Sequence, residues 1–250
     1  MVTTIRKVNQ KMIKLAVSGC LGRMGQRISS LALEDKSFKI TTLLERIDHP
    51  QIEEILCGLP ISTDLSNLKG CDILIEFTSP EATLQHLDAC VKHKVKMVIG
   101  TTGLQPEQIA KIKTASKKIP IVFSSNMSVG VNILFKLTEL TASKTLKNYI
   151  IKITEAHHIH KKDAPSGTAK TLAEIAERTS GIKMHDIQSI REGEIIGDHT
   201  VTFESLEDTL VLTHHAKTRD IFAKGSLVAA KFLAKKKSGL FNMQDVLGLK

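Results

Sequence analysis

The first half of the chain alternates short apolar runs with longer amphipathic ones. IKLAV (residues 13–17) runs into SGCLGRMGQRISSLAL, a glycine-rich turn that opens a helical repeat. FKITTLL (38–44), CDILIEF (71–77), KMVIG (96–100) and IPIVFSS (119–125) are four further short runs of strand character. Residues 81–94 carry helical spacing after Pro80, and Pro106 helps to start another helix. Nearly continuous apolar strands separated by helices predict a parallel, doubly wound sheet, and hence an α/β fold of Rossmann-like type.

The pattern changes near Met127. VGVNILFKLTELTASKTL (129–146) reads as one long helix and YIIKITEAHH (149–158) as an alternating strand. After a helix predicted over 165–180, HTVTFESL and TLVLTHHA alternate on either side of a short polar turn, which is a hairpin pattern. Residues 220–234 are helical, and GLFNMQDVLGL closes the chain. The expected division is therefore a doubly wound domain built from 1–127 and 219–250, with an α+β domain of mixed sheet, 128–218, inserted into it. Residues 1–11 carry charge but no apolar run of the kind a secretory leader needs, and read as a loose extension. No run approaches the ~18 apolar residues of a membrane span.

Composition narrows the partners. The formal charge of +9 favours anions. With no Trp and one Tyr, platforms for stacked bases are scarce, so a small anion fits better than nucleic acid. Lys235, Lys236 and Lys237 read as a solvated helix end. Cys20, Cys57, Cys71 and Cys90 show neither C-x-x-C spacing nor a dense framework, which points to reduced thiols and a cytoplasmic protein.

Gly19, Gly22 and Gly25 lie between the first strand and the first helix. Glycines there permit a tight turn, close approach of backbone N–H groups to a pyrophosphate, and close helix–strand packing. Glu45 lies 20 residues beyond Gly25 at the predicted end of the second strand, where an acid binds ribose hydroxyls. Arg46 follows it and suits a 2′-phosphate. The loops FTSP (77–80), GTTG (100–103) and SSNMS (124–128) leave the carboxyl ends of later strands, where open α/β sheets bind ligands.

EAHHIHKKDAPSGTA (155–169) holds the densest chemistry. As a metal site it is unpromising, because no acid stands at a familiar ligand spacing and Lys161 and Lys162 repel cations; no metal is expected. A solvated basic turn remains open. The third reading is an anion cradle. Pro165, Ser166, Gly167 and Thr168 open an amphipathic helix whose first-turn amides suit a carboxylate or phosphate. His158, His160 and Lys161 add positive charge beside it. His157 and Lys161 share a face if the strand stays extended, which gives two candidate proton donors.

VSGCLGRMG, IEFTSPEATLQHL, VIGTTG, FSSNMSVGVN, EAHHIHKKDAPSGTA, GDHTVTFE, LTHHAKTR and FAKGSLVAAKFL occur here in the order found in the dihydrodipicolinate reductase family, which the chain resembles over nearly all of residues 13–249. The resemblance implies reduction, with NADH or NADPH, of a cyclic dicarboxylate made from pyruvate and aspartate semialdehyde on the diaminopimelate route to lysine. It implies His157 and Lys161 as the acid/base pair, and His158 with the Gly167 and Thr168 amides as substrate binders. Cofactor contacts are implied at Gly19, Cys20, Leu21, Gly22, Arg23, Met24, Glu45, Arg46, Gly100, Thr101, Thr102, Ser124, Ser125, Asn126 and Met127. The doubly wound domain would bind the dinucleotide. The inserted domain would bind substrate and join a homotetramer through its sheets. Three departures stand out: Ser79 replaces a common Arg near the cofactor, residues 180–190 are shorter than in many relatives, and Thr218–Arg219 replaces a common Ser–Arg. The rival readings are a reductase of another small dicarboxylate and a dinucleotide sensor that binds DNA.

Overall fold

The computed structural model describes residues 12–145, 148–183 and 187–249. The expected extension at 1–11 and part of the shortened 180–190 stretch lie outside the described residues. Contacts divide the chain into two compact units, one running to Val122 and resuming at Leu227–Leu240, the other Phe123–Ser226 with Phe241–Lys250. These limits differ from the expected ones at 123–127, 219–226 and 241–250. Local bonds account for part of the difference. Asn126 Nδ2 donates to Thr168 Oγ1 at 3.0 Å, and Gln244 Nε2 donates to the Asn132 carbonyl at 2.8 Å.

The first unit contains β1 (Ile13–Ser18), α1 (Arg23–Glu34), β2 (Phe38–Leu44), β3 (Ile55–Leu56), β4 (Leu59–Ser62), β5 (Ile73–Glu76), α2 (Pro80–His93), β6 (Lys96–Ile99), α3 (Pro106–Ala115) and most of β7 (Pro120–Phe123). β1 pairs in parallel with β2 on one side and β5 on the other, and β5 continues in parallel to β6. Leu15, Ala16 and Val17 of β1, with Ile73, Leu74 and Ile75 of β5, are fully buried. That explains why these runs are apolar throughout rather than alternating. The chain leaves β1 towards β2 in one direction and reaches β5 in the other, so the carboxyl ends of β1, β2 and β5 frame a topological switch point.

The second unit contains α4 (Val129–Lys144), β8 (Ile150–His157), α5 (Gly167–Ser180), β9 (Ile187–Arg191), β10 (Asp198–Glu204) and β11 (Thr209–His215). α6 (Asp220–Ala234), β12 (Gly239–Phe241) and α7 (Met243–Leu247) complete the chain. The large sheet has the order β12-β7-β6-β5-β1-β2-β4-β3, and the smaller one β11-β10-β8-β9. The smaller sheet is mixed: β8–β10 and β10–β11 are antiparallel, β8–β9 parallel. Leu134 and Phe135 of α4 and Leu172 and Ala176 of α5 share a core with Ile151, Ile153, Val201 and Phe203 of the sheet. β3, β4 and β9 were not foreseen. β3 has two residues, β4 carries Pro60, and β9 is a half-buried edge strand without clean alternation.

Candidate functional site

The glycine turn of the first unit is shaped by what it excludes. Gly19 has φ +61°, in the left-handed region, and Gly22 N–H donates to its carbonyl at 2.9 Å. A Cβ on Gly25 would stand 2.1 Å from that same carbonyl oxygen, so α1 packs on the turn only because residue 25 has no side chain. Glu45, at the end of β2, accepts from the Leu21 N–H at 3.0 Å through one carboxylate oxygen and from the Arg46 N–H at 3.1 Å through the other. Arg46 is exposed and pairs with Asp48 at 3.3 Å. Gly19, Gly22, Glu45 and Arg46 line a cleft of ≈ 640 Å³, together with Ser79 and His86. An open cradle of backbone at a strand–helix turn, with an acid at its edge, fits a dinucleotide.

Other expected cofactor residues take varied places. Cys20 is fully buried, and its thiol is pushed up to about 12, chiefly by burial. Leu21, Arg23 and Met24 are accessible on the turn and first helical residues. Gly100 lies against Phe77, where an added Cβ would fall 2.2 Å from the ring. Thr101 is buried and accepts from the Thr78 N–H at 3.1 Å, while Thr102 is exposed. Ser124 and Ser125 line a hollow of ≈ 690 Å³ in the second unit, bounded by α4, α5 and α7. Asn126 ties the start of α4 to that of α5, and Met127 is buried.

Sequence reasoning missed the brace beneath the turn. Glu76 is fully buried at the end of β5. It accepts from Ser18 Oγ at 2.5 Å and from Thr78 Oγ1, and it pairs with His86 Nδ1 at 2.5 Å. A carboxylate ending an otherwise apolar buried strand was the available signal, since a buried charge needs partners.

In the second unit, β8 ends at His157 and the chain turns, with the Lys161 N–H donating to the His158 carbonyl at 3.1 Å. The extended path that would put His157 and Lys161 on one strand face is therefore absent. His157 is buried, and Glu155 is its Nδ1 partner. Burial pushes its imidazole below the ordinary value, with Glu155 acting in the opposite direction. Lys161 Nζ donates to Asp163 Oδ1 at 2.8 Å. His158 Nε2 faces Arg219 Nη2 at 3.4 Å, and its Nδ1 is buried without a partner among the described residues. His160 is exposed, 3.8 Å from Glu194. The Ser166 hydroxyl caps α5 by accepting from the Ala169 N–H at 3.2 Å, leaving Gly167 and Thr168 in the first turn. Gly167 is exposed and has open space where a Cβ would stand.

Glu155, Arg191 and His199 were also missed as site residues. Ile151, Ile153, Glu155 and His157 share one face of β8, and Phe203, Val201 and His199 share one face of β10, facing the core. Polar residues in phase with a core stripe were the signal for Glu155 and His199. Arg191 had none, because it reaches Glu155 by the pairing of β9 with β8. Among the described residues, no cluster of three or more His, Cys, Asp or Glu is arranged to hold a metal.

Residues 13–127 match the family described as dihydrodipicolinate reductase, N-terminus, and residues 130–247 match dihydrodipicolinate reductase, C-terminus. The chain is similar to the 4-hydroxy-tetrahydrodipicolinate reductase of Nitrosomonas eutropha, with 42% identity over 266 aligned positions, 96% of this chain and 99% of that protein. It is 43% identical to the protein of the same description in Nitrosomonas europaea, covering 95% and 99%. In fold it is similar to a dipicolinate-bound dihydrodipicolinate reductase from Paenisporosarcina sp. TG-14, with TM-score 0.82 at 22% identity over 94% of this chain and 98% of that one.

Proposed function

The chain belongs to the dihydrodipicolinate reductase family, and on that premise we propose that it reduces 4-hydroxy-tetrahydrodipicolinate to tetrahydrodipicolinate in lysine and diaminopimelate biosynthesis. The single observation that carries the reading is the second unit's pairing of a buried, carboxylate-bound His157 with the open amide end of α5. A bound NADH or NADPH supplies the hydride. The turn at Gly19, Gly22 and Gly25 would hold its pyrophosphate, and Glu45 and Arg46 would bind its ribose. The amides of Gly167 and Thr168, with His158, hold the substrate carboxylates. The balance follows from the two compounds: a hydride and a proton enter, and the hydroxyl leaves as water. His157 or Lys161 delivers the proton. The division of labour assigns the dinucleotide to 1–127 with 219–250, and substrate and oligomer contacts to 128–218. The protein works in the cytoplasm as a homotetramer, without nucleic acid.

The test measures NADH and NADPH oxidation separately, with substrate generated in situ from pyruvate and aspartate semialdehyde. Turnover with at least one cofactor is expected. His157→Gln and Lys161→Ala should each lower kcat about 100-fold or more, the scale of a lost general acid. Normal turnover in both variants removes these roles.

A further inference from the structure

The proposed donor His157 has a buried acid on its own strand face. Glu155 lies two residues upstream and points to the same side of β8. It is fully buried, and donors converge on both of its oxygens. Oε2 is bonded to His157 Nδ1 and accepts from Arg191 Nη1 at 3.1 Å. Oε1 accepts from Arg191 Nη2 at 2.8 Å and from the Ser166 N–H at 3.2 Å. Arg191 stands opposite His157 in the parallel β8–β9 pair, so register delivers the guanidinium as a two-pronged clamp.

We propose that Glu155, clamped by Arg191, is a positioning residue for His157. It fixes a proton on Nδ1 and thereby makes Nε2 the atom that exchanges a proton with substrate. The inference deepens the function proposed above and rests on the donor role given there to His157.

The chemistry follows from the acid's surroundings. Burial alone would raise the Glu155 carboxyl, but Arg191 and His157 outweigh it and hold the carboxyl down at about 2. An ionised carboxylate only accepts, so the ring nitrogen bonded to it must carry the hydrogen. His199 meets the imidazole edge-on, with centroids 5.1 Å apart at 76°. Gly197 leaves room at the other nitrogen: a Cβ there would stand 3.0 Å from His157 Nε2. Four charged or titratable groups act on this ring. Glu155 favours its cationic form, while Lys161, Arg191 and burial oppose it, and His199 lies against its face.

The test uses full-length protein with nitrogen-15-labelled histidine, the His157 signals being assigned by their loss in His157→Gln. Wild-type His157, when neutral, should carry its proton on Nδ1. Glu155→Gln should mix the two tautomers, move the His157-dependent limb of the kcat–pH profile to lower pH, and lower kcat about 10-fold or more with KM within about twofold. Removing one partner of a buried pair strands the other, so Glu155→Gln/Arg191→Met serves as a charge-balanced second variant with the same expected readouts. A wild-type ring protonated on Nε2 overturns the proposal, even if neither variant folds. So does a folded variant of either kind with unchanged tautomer, pH limb and kcat. Wild-type-like turnover by His157→Gln instead removes the donor role, whatever the tautomer.

Discussion

His199 illustrates what a single buried polar side chain costs and does. It is 4% exposed, and its Nε2 lies 3.2 Å from the Ser166 hydroxyl that caps α5. Its Nδ1 has no partner among the described residues. Burial, then the neighbouring His157, pushes the imidazole down to about 4. The native state therefore holds His199 neutral at pH values where the unfolded chain would protonate it. Between about 6.5 and 4 the unfolded state binds more protons, so stability falls as pH falls through that window and is fully present above it. Glu155 acts in the same sense further down, from its ordinary range to about 2. Thermal unfolding should thus show Tm declining from pH 7 to pH 4. His199→Gln should flatten that slope, whatever its effect at pH 7; an unchanged slope would remove His199 as a source.

At the scale of elements, the glycine turn makes the sharpest prediction. Gly25→Ala places a Cβ 2.1 Å from the Gly19 carbonyl oxygen, and backbone cannot yield as a side-chain tip does. Cofactor Kd, read by fluorescence titration, should rise about 10-fold or more, at least ~1.4 kcal/mol. Much of this layer was legible in the sequence. β2 and α6 fall at their expected residues, because a strand that alternates buried Phe38, Ile40 and Thr42 with exposed Lys39 and half-buried Thr41, and a long apolar-striped helix, both write strong periods. Gly19 and Gly25 were legible because a left-handed φ and a close backbone contact make demands that a side chain does not meet. β9 was not, and Arg191 with it: which strands pair, and in what register, is decided by tertiary packing. The turn after His157 was equally hidden, since the period of β8 does not announce its own end.

At the scale of the whole molecule, the proposed homotetramer needs a contact, and the face of the smaller sheet turned away from α4 and α5 offers one. Ile150 and Val211, on the face turned away from α4 and α5, are 59% and 52% exposed. Thr154, Thr200 and Thr213 lie on the same side, with Thr200 and Thr213 in hydrogen-bonded contact. Lys152 pairs with Glu204 and Asp198 with His215 on that same face, and a surface of apolar, hydroxyl and oppositely charged groups suits a symmetric, self-complementary contact. Sedimentation should report a tetramer for the wild type and smaller species for Ile150→Glu/Val211→Glu; an intact tetramer in the double variant would move the contact elsewhere. The net charge of +9 opposes association of copies at long range, so the proposed tetramer should tighten as salt is added.

The stripe from Ile151 to His157 on β8 bears on how such a protein can change over generations. Its apolar end and the end proposed to handle protons share one strand, one face and one period. Heat tolerance alone would favour Leu or Val at positions 157 and 199, where an imidazole is costly to dehydrate. On the proposed mechanism, turnover keeps His157 polar. The strand is therefore a border along which durability and usefulness select opposite side chains, two residues apart.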